Sequence, residues 1–170
     1  MAKTALYIIA PFLCLVLASC TMSYSFTGAS IPPEVKTIRI DHFPNNAPLV
    51  NPTLNQVFTD ALRDKFQSQT SLMIVNDGGD LVIEGEIIDY NTRPAAIQSD
   101  DRAALNRLTI AVKVSYINKF DESQNFSMQT FTRYEDYDST EDLTAVSDNL
   151  VPIIVEYLVE DIFNKTVVNW

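Results

Sequence analysis

The sequence predicts an α+β fold: two helices packed on one face of a small, mostly antiparallel sheet, in the order β-α-β-β-β-β-α. Three observations carry this. Apolar residues alternate at period two from Leu108 to Tyr116, recur at spacings of three and four from Leu54 to Phe66, and return at helical spacing from Leu150 to Ile162. Each helix then has one apolar stripe to bury, and the apolar face of a sheet accepts both.

The elements follow in order. Val35 to Phe43 (VKTIRIDHF) alternates, with Ile38 and Ile40 on one face and Arg39 and Asp41 on the other, and stops at Pro44. The run Pro44-Asn45-Asn46-Ala47-Pro48 holds no regular structure. Asn51-Pro52 then supplies a cap residue followed by proline at the first helical position. Leu54, Val57, Phe58, Ala61, Leu62 and Phe66 face one way and Asp60, Arg63, Asp64 and Lys65 the other, so a helix is expected from Pro52 to about Gln69.

Leu72 to Val75 is a short apolar run, and Asn76-Asp77-Gly78-Gly79-Asp80 is a turn whose glycines accept positive φ. Leu81 to Tyr90 alternates again, and these two runs are expected to pair as a hairpin. A polar loop is expected from Pro94 to Ala104. The strand around Leu108–Tyr116 follows, then a turn at Phe120-Asp121-Glu122-Ser123, then a long strand from Asn125 to Tyr137 pairing antiparallel with its predecessor. The last helix is expected from about Asp142 to Lys165, capped by Asp142 or Ser147. Pro152 lies either in its first turn or inside a longer, kinked helix.

Ahead of this domain, Met1-Ala2-Lys3 precedes an uncharged run from Ala5 to Leu17, and Leu17-Ala18-Ser19-Cys20 resembles the bacterial lipobox. The apolar run is shorter than the roughly 20 residues a spanning helix needs. The expectation is a signal peptide at residues 1–19, a lipidated tether at 20–34 and a single domain at 35–170. Cys20 would carry diacylglycerol on its thiol and an acyl chain on its new amino group, and more than one chain is what stable anchoring takes. Cys14 leaves with the signal, so Cys20 is the one cysteine of the mature chain and no internal disulfide is available.

Removing residues 1–19 takes away Lys3 and no acidic residue, so eleven basic side chains face 22 acidic ones, a formal charge of −11. That balance argues against nucleic acid as a partner, because such binding relies on cations neutralising phosphate. It also opposes adsorption to anionic lipid, leaving the acyl chains to hold the protein at a bilayer. Catalysis has little to build on. His42 is the single histidine of the chain, without a companion for a conventional zinc site. Glu84 and Glu86 share a strand face but read as its solvated side, and Asp100-Asp101 and Glu135-Asp136-Tyr137-Asp138 lack the spacing of a calcium loop. No enzyme, metal or cofactor is expected, apart from the covalent lipid on Cys20.

Four stretches carry a family resemblance: Ser25-Phe26-Thr27-Gly28-Ala29-Ser30-Ile31-Pro32, the run from Phe43 to Pro52 (FPNNAPLVNP), Ala104 to Ile110 (ALNRLTI) and Leu158 to Lys165 (LVEDIFNK). They resemble the LptE family of lipopolysaccharide-assembly lipoproteins in its Bacteroidetes branch, over essentially the whole mature chain. The resemblance implies two helices on a small sheet, seated as a plug inside the outer-membrane β-barrel LptD. It further implies a periplasm-facing, lipid-anchored protein that supports lipopolysaccharide transport to the cell surface. Better-studied relatives are thought to touch lipopolysaccharide through basic residues near one end of the sheet, whereas this chain is acidic. Arg93, Arg102 and Arg107 flank or lie in one expected loop and would form a local anion site there, since the guanidinium fork binds two phosphate oxygens; ordinary surface arginines are the other reading. An alternative function is a general periplasmic lipoprotein adaptor, or a pilot for an envelope secretion channel.

Overall fold

β4 (Leu105–Asn118) lies between β3 (Leu81–Pro94) and β5 (Phe126–Asp138) and runs antiparallel to both, in a computed structural model that describes residues 31–49, 51–95 and 105–168. On the far side of β3 come β1 (Thr37–Ile40) and β2 (Met73–Ile74), giving the sheet order β2-β1-β3-β4-β5. Two helices complete the fold, α1 (Leu54–Gln69) and α2 (Leu143–Val167), with a short 3-10 turn at Glu122–Gln124 joining β4 to β5. The expected order β-α-β-β-β-β-α and the α+β class are both observed. The signal, Cys20, most of the tether and the tip of the 94–104 loop lie outside the described residues.

The hairpin expected between Leu72–Val75 and Leu81–Tyr90 is not formed. β2 pairs in parallel with β1, Thr37 opposite Met73, and β3 pairs in parallel with the other edge of β1, Ile38 opposite Leu81. Helix α1 returns the chain to the start of β1, so the strand that follows it runs parallel to β1. The turn Asn76–Asp80, with Gly78 at φ 73° and Gly79 at φ 86°, then carries the chain over β1. Asp80 ends that crossing: its carboxylate accepts the backbone N–H of Lys36 at 2.8 Å and of Thr37 at 2.9 Å. β1 is thereby paired on both sides, as the burial of Ile38 and Ile40 requires.

One face of the sheet is apolar and covered. Ile38, Ile40, Ile83, Ile87, Leu108, Ile110, Val112, Val114 and Tyr116 are buried there beneath the helices. A register shift between Ile87 and Asp89 keeps Ile87, opposite Val112, and Tyr90, opposite Ile110, on that same face. Gly85 serves a close approach: a Cβ there would lie 2.6 Å from the Phe43 ring and 2.1 Å from the Lys113 carbonyl oxygen. Phe43 uses that space to meet Phe58 of α1 edge-on, with ring centroids 4.9 Å apart. The Phe43 N–H donates to the buried Thr59 hydroxyl at 3.2 Å.

α1 starts two residues later than expected, and α2 starts where expected and runs two residues further. Asn51-Pro52-Thr53 forms a turn before α1 instead of its first residues: the Asn51 side-chain oxygen accepts the Thr53 N–H at 3.1 Å, and helix begins at Leu54. α2 is capped by Asp142, whose carboxylate accepts the Thr144 N–H at 2.8 Å. Pro152 falls inside α2. Its missing N–H leaves the Asp148 carbonyl without its helical donor, but both residues are exposed and water can fill that role. The helices meet through Phe66 and Phe163, ring centroids 5.1 Å apart, and through an ion pair of Lys65 with Glu160.

Candidate functional site

The long β3–β4 hairpin gathers two of the three arginines singled out from sequence. Arg93 and Arg107 stand directly opposite each other in register, on the sheet face turned away from the helices. Both lie in strands, because β3 continues to Pro94 and β4 begins at Leu105. Arg102 lies outside the described residues. Two like charges facing each other across a ladder repel, and β5 supplies the compensation. Asp136, opposite Arg107 in register, accepts from its Nε at 2.7 Å and from its Nη2 at 2.9 Å.

The Arg107 guanidinium also lies over the Tyr134 ring, 3.7 Å from the centroid. Hydrogen bonds from Arg107 hold the Asp136 carboxyl below the usual carboxylate range, and the same bonds push the arginine up. Arg107 is therefore committed to a strand-end cluster with Asp136 and Tyr134, and a phosphate there would compete with Asp136. Arg93 is exposed and has no ion pair among the described residues. The sequence offered Asp136 only within a run of solvated loop charges or a weak cation site. The β4–β5 register is what makes it a partner, and that register involves residues some thirty apart in sequence.

The other candidates disperse. In the run 135–138, Asp136 sits on the open face while Tyr137 is buried, its hydroxyl 2.7 Å from that of Thr92. Asp138 accepts from the Thr140 N–H and hydroxyl at 2.8 and 2.7 Å. Glu84 lies opposite Ser115, and Glu86 lies opposite Lys113 and accepts from the Asn46 amide at 2.7 Å. His42 is exposed, its Nε2 3.1 Å from the Asn55 amide nitrogen. Among the described residues no three His, Cys, Asp or Glu side chains are grouped to hold a metal ion. Among them, too, no helix is long and apolar enough to cross a membrane.

A sheet with one face covered by two helices and the other face open defines a two-layer α+β domain. The chain belongs to the LptE family, described as lipopolysaccharide-assembly, which matches residues 35–166. It is an envelope lipoprotein of lipopolysaccharide assembly, in a family that is not one of enzymes. Similar solved structures include a hypothetical protein from Chlamydia trachomatis, at TM-score 0.52 and 8% identity over 79% of this chain and 99% of that one. An uncharacterized lipoprotein B from Nitrosomonas europaea matches at TM-score 0.50 and 14% identity, over 76% and 80% of the two chains. A minor lipoprotein from Acinetobacter baumannii matches at TM-score 0.45 and 16% identity, over 78% and 92%. At such identities the first two likenesses are of fold alone. No curated protein matches the sequence significantly.

Proposed function

We propose that this protein is a non-catalytic subunit of the outer-membrane lipopolysaccharide translocon, held to the inner leaflet by lipid on Cys20, facing the periplasm and bound to an LptD-type β-barrel. The family match across residues 35–166 is the observation that carries the reading. The lipobox Leu17-Ala18-Ser19-Cys20 supports the anchor. Within the complex Arg93 and Arg102 are the arginines offered for contact with lipopolysaccharide phosphate, while Arg107 gives such contact only by releasing Asp136.

The experiment is a pull-down of the tagged lipoprotein from detergent-solubilised membranes. A large barrel co-purifying in stable amount is expected, and Cys20→Ser is expected to lower recovery from the outer-membrane fraction without altering the circular dichroism spectrum. Recovery of the wild-type protein as a monomer, together with normal surface lipopolysaccharide in a deletion strain, would overturn the assignment.

A further inference from the structure

The sheet has two very different edges. β2 closes one of them with two residues, whereas β5 is a terminal strand thirteen residues long. Among the described residues, β5 pairs with β4 alone. In an antiparallel ladder, alternate residues of an edge strand turn their N–H and C=O groups away from the neighbour. Such a row is a template for another strand unless charge, proline, a bulge or a covering element blocks it. Here the irregularity is confined to the start of β5, at Met128 with φ 53°, and pairing with β4 is regular from Gln129 to Asp138. Thr132, Arg133 and Tyr134 are exposed in succession, so this stretch is open on both faces.

Helix α2 provides a wall beside this edge. Ile153, Tyr157 and Asp161 follow one another at intervals of four along one stripe. Asp161 takes both hydrogen bonds of Arg133, at 2.6 Å each, which fixes the stripe alongside β5. Ile153 and Tyr157 nonetheless remain 40% and 48% exposed, as large apolar side chains next to an edge strand. The edge also carries an uncompensated negative charge: Arg133 is neutralised by Asp161, whereas Glu135 on β5 has no ion pair among the described residues. A second copy of this chain, itself at a formal charge of −10, would meet that surface with repulsion.

We propose that the β5 edge and the Ile153–Tyr157 stripe of α2 together bind an extended segment of another protein as a sixth strand. That segment carries apolar residues at alternate positions facing α2 and a net positive charge. Main-chain bonds to β5 supply affinity, and the α2 wall reads every second side chain. This surface shares strand β5 with the arginine cluster, whose Tyr134 and Asp136 lie on the sheet face away from α2, and it does not rest on the barrel reading.

The test uses the full-length lipoprotein in detergent micelles and a fluorescent decapeptide alternating valine and lysine. A control peptide has the same composition in two blocks, five lysines then five valines. The alternating peptide is expected to bind and to slow exchange of alternate β5 amides, seen by NMR. Ile153→Ser and Tyr157→Ser are each expected to weaken binding about tenfold, the effect of truncating a packed interface anchor, with unchanged melting temperature. Equal binding of the block peptide reduces the effect to charge and overturns the proposal. So does binding that leaves β5 exchange unaltered, or an absence of binding. Protection of the β5 amides without peptide, in a dimer detected by sedimentation, assigns the edge to a second copy and also overturns it.

Discussion

On one flank of β3 stand two short parallel strands, β1 with four residues and β2 with two; on the other stand β4 and β5, fourteen and thirteen residues long and antiparallel. The short flank is held by groups that arrive from elsewhere. Asp80 pins the start of β1, Phe43 enters beneath α1 through the space Gly85 leaves, and Arg63 of α1 donates to the Ile40 carbonyl at 2.9 Å. The long flank is held by its own ladder and by cross-strand pairs such as Arg107 with Asp136. Short parallel pairing therefore depends on a few side chains from outside the pair, while long antiparallel pairing distributes its stability over many small contributions.

Breaking the short flank is expected to cost most. Phe58→Ala empties a fully buried site against Phe43 and should lower unfolding free energy by about 3–5 kcal/mol in urea titration. A loss of under about 1 kcal/mol would show that the Phe43–Phe58 contact does not hold β1 in place. Gly85→Ala comes next, at about 1–3 kcal/mol, because the added methyl meets the Lys113 backbone carbonyl as well as the Phe43 ring. If Phe43→Ala relieves none of that loss in a double mutant, the backbone contact alone is responsible.

On the long flank, Arg133→Ala should cost less than about 1 kcal/mol despite its paired hydrogen bonds to Asp161, since the arginine is exposed and the aspartate only half-buried. A double-mutant cycle with Asp161→Ala measures the pair directly. The smallest effect is a pH dependence shared by the two flanks. Backbone N–H bonds from Lys36 and Thr37 lower the Asp80 pKa, and hydrogen bonds from Arg107 lower that of Asp136. A folded-state pKa below the unfolded value contributes stability that is present above about pH 4 and lost as pH falls through the folded value. Asp80→Asn and Asp136→Asn should therefore each narrow the gap between melting temperatures at pH 7 and pH 3. An unchanged gap in both would remove these carboxylates from the acid response.

How far the fold was legible tracks the same division. The period-two run of β4 and the amphipathic pattern of α1 announce elements and faces, because both are local. The β3–β4–β5 meander follows from adjacent strands joined by short connections. The hairpin expected at Asn76–Asp80 failed because the same turn residues serve a crossing over β1 as well as a reversal. What distinguishes the two is Asp80, whose partners Lys36 and Thr37 lie more than forty residues away. In the arginine cluster, residue type pointed to Arg93 and Arg107, but Asp136 and Tyr134 became neighbours of Arg107 only through register.

By itself the sequence determined the α+β class, the covered apolar face, both helices, the export and lipidation signature expected at Cys20, and the family resemblance. Each of these is written in residues close together along the chain. Tertiary structure alone decided that β2 joins β1, that Gly85 makes room for Phe43, that Asp136 occupies Arg107, and that β5 is the long edge of the sheet among the described residues. Side-chain periodicity tells a strand which face to bury but not which strand to lie beside; that choice belongs to the packing of the whole core.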